Sequence, residues 1–120
     1  MAEDLLVTRV QARSAGVPGR CLTSARHNHF VIDEPAFGGG PGEAVTPGEA
    51  FLGAICACGV LLVESFARKD GVALVGVEAS IEGVRAKDDP SRFLRVVLRF
   101  TVRGADRTRA EALVEKFKGR

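Results

Sequence analysis

Apolar and polar positions along this chain switch between a period of two and a period near 3.6, and the switches mark its elements. In residues 5–14, Leu6, Thr8, Val10 and Ala12 alternate with Val7, Arg9, Gln11 and Arg13, which predicts a half-solvated strand. Val17-Pro18-Gly19 fits a type II turn, with proline presetting φ and glycine taking φ > 0. Residues 20–24 and 29–33 then supply two more strands of a hairpin, the second apolar at Phe30, Val31 and Ile32 and ended by Pro35. Further on, Val75, Val77, Ala79 and Ile81 alternate with Gly76, Glu78, Ser80 and Glu82, giving a strand with one buried face. After a turn at residues 87–91, residues 93–103 turn Leu94, Val96, Leu98, Phe100 and Val102 inward. Arg95, Val97, Arg99, Thr101 and Arg103 face outward. Residues 106–118 predict an amphipathic helix with Ala110, Leu113, Val114 and Phe117 inside.

Between these strands lies the segment that organises the rest, a long helix predicted over residues 46–71. Thr46 is placed at the N-cap, Pro47 at the first helical position and Glu49 three residues after the cap, a reciprocal capping box. Arg68 and Lys69 suit the negative end of the helix dipole, and Gly71 can take the left-handed conformation that closes a helix. Residues 50–63 carry no charge, a stretch shorter than the roughly 20 apolar residues that span a bilayer. At about 100° per residue, Phe51, Ala54, Ile55, Cys58, Leu61 and Leu62 share one face, and Leu52, Cys56, Gly59, Val60 and Val63 the other. Both faces are apolar. One small domain struggles to cover such a helix on every side, so a second subunit is expected.

The 120 residues make a single domain, and strands with helices on one side of antiparallel sheet make it α+β. A net charge of +2 is too small to argue for nucleic acid, and Glu78 and Glu82 stand ready to pair the outward arginines of residues 93–103. The acidic start MAEDLLV lacks the basic and apolar regions of a signal peptide, so a cytoplasmic protein without a membrane anchor is expected. Three cysteines, Cys21, Cys56 and Cys58, are an odd number for a reducing compartment and argue against a disulfide framework.

Candidate chemistry is sparse. The glycine-rich residues 36–45 lack the Gly-Lys-Ser/Thr of a phosphate loop and read as a flexible connector. Cys56 and Cys58 stand about 200° apart round the helix, which excludes a shared metal clamp. His27 and His29 project to one side of a strand but have no acidic or thiol ligand at a suitable spacing, so no metal is expected. Cys58 lies beyond the first helical turn, where the dipole no longer lowers a thiol pKa, so a reactive thiolate there needs a cation from another segment.

Taken together, the RHNHFVIDEP run with its glycine-rich loop, the TPGEAFLGAICAC helix start and the FARKDG and VALVGVEASIEG continuation resemble the OsmC/Ohr superfamily, in its OsmC-like branch. The pattern of Pro47, Glu49 and Cys58 is the most specific part, and the resemblance covers nearly the whole chain. It implies antiparallel sheets packed around a long central helix in an intertwined homodimer. It also implies cysteine-dependent reduction of organic hydroperoxides without a cofactor, with an external dithiol as reductant. By that resemblance Cys58 is the peroxidatic position and Glu49 the glutamate. The activating arginine matches Arg20 by position, with Arg26 as a second candidate. Gly48 stands where peroxidases of the family carry their glutamate, and the chain ends where the family's resolving Cys-Pro pair would begin. These departures leave a second expectation, a non-catalytic homodimer that binds a small apolar ligand at the dimer cleft.

Overall fold

Two antiparallel sheets and two α-helices make up the described residues of this α+β chain. The computed structural model describes residues 4–119. They form two units, the first ending at Ala50 and the second beginning at Phe51.

The first unit is a three-stranded sheet in the order β1 (Gln11–Ser14), β2 (Arg20–Ala25), β3 (Asn28–Asp33). Gly19 has φ 80° and the Arg20 N–H donates to the Val17 carbonyl at 3.0 Å, so the expected turn joins β1 to β2. The predicted first strand is shorter than expected, and Leu6 and Val10 on its supposed inner side are exposed. The register explains this. Gln11 pairs with Ser24, one residue before β2 ends at Ala25, so residues 5–10 run past the end of β2, the strand that β1 pairs with among the described residues.

Helix α1 (Pro47–Lys69) starts in the first unit and continues into the second. The Glu49 N–H donates to Thr46 Oγ1 at 3.2 Å and Glu49 Oε1 accepts from the Thr46 N–H at 2.8 Å, which is the expected capping box. Gly71 closes the helix at φ 71°. The uncharged residues 50–63 are only part of this helix. Over its 23 residues α1 is long and apolar enough to cross a membrane, a property that core helices of soluble proteins share.

In the second unit, β4 (Gly76–Val84) and β5 (Arg95–Arg103) pair from Gly76↔Arg103 to Val84↔Arg95, and α2 (Arg107–Lys118) follows. Asp106 caps α2 by accepting from the Arg109 N–H at 2.8 Å. Val63, Ala67 and Leu113 are fully buried, with Phe66, Val77, Phe100, Val102, Val114 and Phe117 packed against them. The expected cross-strand ion pairs are present, Arg99 with Glu82 and Arg103 with Glu78, each at 2.7 Å. Three residues expected inside, Val75, Leu94 and Val96, are exposed. Leu94 and Val96 sit toward the far end of the hairpin, beyond the reach of the cluster, which meets β5 only at Phe100 and Val102.

The two apolar faces of α1 differ in cover, which periodicity alone left undecided. Gly59 and Val63 are buried and Leu52, Cys56 and Val60 half-buried, whereas on the other face Phe51, Ala54, Cys58 and Leu61 are exposed and Ile55 and Leu62 half-buried. Gly59 sets the approach on the covered side, since a Cβ there would lie 2.7 Å from Phe100 Cζ.

Candidate functional site

The β2–β3 hairpin turns on Arg26 and His27, with Ala25 opposite Asn28, and this register makes Arg20 and Asp33 the outermost cross-strand pair. Arg20 Nε donates to Asp33 Oδ1 at 2.7 Å and Nη2 to Asp33 Oδ2 at 2.9 Å, a bidentate fork. Nη2 also donates to Glu43 Oε1 at 2.8 Å. Asp33 is wholly buried, and its Oδ2 accepts two further bonds, from the N–H groups of Glu43 and Ala44, each at 3.0 Å. The hydrogen bonds from Arg20 hold the Asp33 carboxyl down to about 2, against the opposing effect of its burial and with help from the two backbone amides. The same bonds to Asp33, then those to Glu43, raise Arg20 above its ordinary value.

Asp33 therefore fastens the glycine-rich segment to the hairpin. The expected flexible connector is instead a folded loop. Ala36–Gly38 forms a 3-10 turn, the Gly40 N–H donates to the Pro35 carbonyl at 3.1 Å and the Gly42 N–H to the Glu34 carbonyl at 3.2 Å. Glycine is required here, since any Cβ on Gly40 would collide with the Glu34 backbone. The loop delivers Thr46 to the cap of α1. Sequence reasoning missed Asp33 and Glu43. Counting pairs outward from a two-residue hairpin loop would have set Asp33 opposite Arg20, whereas nothing local marks Glu43.

Of the residues carried over as catalytic, Arg20 and Glu49 lie in the first unit with their side chains engaged, Arg20 by Asp33 and Glu43, Glu49 by Thr46. Arg26, the second arginine candidate, is exposed in the hairpin loop. Cys58 lies in the second unit, a free and exposed thiol on the open face of α1. One and two turns before it on that face are Ile55 and Phe51, and Phe51 stacks on Phe93 with ring centroids 6.1 Å apart. An exposed sulfur beside an apolar stripe can receive an electrophile with an alkyl or aryl tail. Cys56 is half-buried and free, and Cys21 is half-buried with Sγ 3.9 Å from Thr23 Oγ1. Among the described residues no cluster of three His, Cys, Asp or Glu side chains could hold a metal.

A cavity of about 710 Å³ in the second unit does not include this thiol in its lining. Leu98, Phe100, Val102, Ala110, Val114 and Phe117 form its apolar wall between β5 and α2.

The family described as OsmC-like protein matches residues 40–120. No curated protein matches the sequence. Among solved structures, an OsmC-like protein from Mycoplasma pneumoniae superposes with a TM-score of 0.82 at 12% identity, over 96% of this chain and 82% of its own. The organic hydroperoxide resistance protein OsmC from Legionella pneumophila gives 0.67 at 26% identity, over 95% and 83%. The organic hydroperoxide resistance protein OhrB of Bacillus subtilis gives 0.62 at 20% identity, over 93% and 83%.

Proposed function

This chain belongs to the OsmC-like protein family, and from that premise we propose that it is a homodimeric, cysteine-dependent reductase of organic hydroperoxides acting in the cytoplasm. The observation that carries the reading is Cys58, an exposed thiol on an apolar helix face that its own chain leaves open. The names of the Legionella and Bacillus proteins support the substrate class.

In the reaction, the Cys58 thiolate attacks the outer oxygen of the hydroperoxide. The S–O bond forms as the O–O bond breaks, and the leaving alkoxide takes a proton to depart as the alcohol. The cysteine is left as a sulfenic acid. An external thiol then attacks this sulfur, releasing water and forming a mixed disulfide, and the reductant's second thiol regenerates Cys58. Two electrons from the dithiol reduce one hydroperoxide, and no cofactor enters. The apolar tail would lie along Ile55 and Phe51, with a second subunit closing the site over the open face of α1. Arg20 and Glu49 enter as residues that hold the thiolate ready once a partner or substrate redirects their side chains.

A second reading is a homodimer that binds a small apolar ligand without turning it over. It is favoured by the engagement of Arg20 with Asp33 and of Glu49 with Thr46, which leaves neither group unspent. Consumption of cumene hydroperoxide with a dithiol, by the wild-type chain and by Cys58→Ser, separates the two. Turnover by the wild type alone supports the reductase, and no turnover above the variant removes it.

A further inference from the structure

A groove of about 540 Å³ lies beside the three-stranded sheet, lined by Arg9, Gln11, Ser24, Arg26 and His29, with Val7 as its one apolar wall. Gln11, Ser24 and His29 are cross-strand partners in one row, so their side chains share a face of the sheet. Ser24 Oγ lies 2.7 Å from His29 Nδ1, which orients the imidazole and leaves Nε2 to meet a ligand.

The charge around this groove is unbalanced. Among the described residues no carboxylate lines it and neither Arg9 nor Arg26 has an acidic partner; Arg13, Arg68, Arg85, Arg92, Arg95 and Arg109 share that lack, and what sets Arg9 and Arg26 apart is that both line one groove. Arg26 also holds φ 56°, among the described residues the one left-handed position that is not glycine. A two-residue hairpin loop ordinarily places Asn, Asp or Gly in such a conformation, so an arginine here departs from what the backbone favours.

We propose that this groove binds a small molecule carrying a diphosphate, held by the guanidinium groups of Arg9 and Arg26 with His29 and Gln11 as further donors. Two planar cations that can each fork onto phosphate oxygens suit an anion with two charged centres better than a single ion. Val7 and the volume of the groove leave room for an organic substituent. The assignment is independent of Cys58 and of peroxide chemistry.

The test is calorimetric titration of the full chain with sodium pyrophosphate, with ionic strength matched by sodium chloride and orthophosphate run in parallel. The expected result is saturable binding of one pyrophosphate per chain, weakened about tenfold or more in Arg9→Gln and in Arg26→Gly. Glycine suits the left-handed turn, so Arg26→Gly removes the cation while keeping the hairpin, which circular dichroism verifies. Arg99→Gln, in the sheet of the second unit and not among the residues that line the groove, serves as the control and binds as the wild type does. Absence of saturable heat up to roughly 10 mM, or undiminished binding in both groove variants, overturns the proposal. An equal loss in Arg99→Gln means diffuse surface charge and also overturns it, and orthophosphate binding as tightly as pyrophosphate refutes the diphosphate assignment.

Discussion

Arg20 and Asp33 close the β2–β3 ladder as a cross-strand pair, a two-pronged guanidinium on a carboxylate that has no solvent exposure at all. Both oxygens of that carboxylate are occupied, one of them by the backbone of the loop that leads into α1. Removing Arg20 would leave Asp33 charged and buried, so the pair should contribute to the acid stability of the first unit.

Asp33 ionises near 2 in the folded chain, well below its value in the unfolded chain. Its contribution to stability is therefore complete above about pH 4 and is lost as pH falls toward 2. Urea midpoints measured between pH 5 and pH 2 should fall over that window, and the fall should be shallower in Asp33→Asn. An unchanged slope in the variant would mean that other carboxylates carry the acid transition.

Glu49 can be tested for two roles with one conservative change. Glutamine keeps the oxygen that accepts from the Thr46 N–H, so Glu49→Gln should leave thermal stability nearly unchanged, while Thr46→Ala should cost about 0.5–2 kcal/mol. If Glu49 also holds the thiolate ready, Glu49→Gln lowers peroxide turnover with the fold intact. Equal turnover in both proteins confines Glu49 to capping.

Gly59 sits where α1 meets the ring of Phe100. Adding a methyl group in Gly59→Ala should destabilise the chain by roughly 1–3 kcal/mol, despite the better helix propensity of alanine. Leu113→Ala, which empties the centre of the same cluster, should cost about 2–5 kcal/mol. Denaturant titration gives both numbers, and a more stable Gly59→Ala would show that the helix can shift on its sheet.

The open face of α1 predicts assembly. Light scattering should return twice the chain mass of 12.7 kDa, and Leu61→Glu, which places a charge at the exposed Leu61, should return the single chain. A folded wild-type monomer at micromolar concentration counts against the dimer.

Cys58 should be the first thiol to react. Of the three cysteines it alone is exposed, so limited alkylation should label it before Cys21 and Cys56. After one equivalent of organic peroxide without dithiol, intact mass should rise by about one oxygen on Cys58. A loss of about two hydrogens would instead mean an intramolecular disulfide, in which Cys21 or Cys56 reaches Cys58; a Cys56–Cys58 bridge would contradict their placement on opposite faces.

What the amino-acid order determined by itself is local. The capping box of Thr46 and Glu49, the left-handed stops at Gly19 and Gly71, and the sorting of α1 side chains onto two apolar faces each depend on residues within a turn or two of one another. Periodicity reports those relations directly, and the motif around Pro47, Glu49 and Cys58 pointed to the family for the same reason. Tertiary structure decided what depends on distant segments. Register placed Asp33 against Arg20, and close backbone packing at Gly40 turned an apparent connector into a fixed loop. The finite reach of the core left Leu94 and Val96 outside although their alternation pointed inward. Alternation sorts side chains onto two faces of a strand, but only the elements that arrive from elsewhere determine which part of a face is covered.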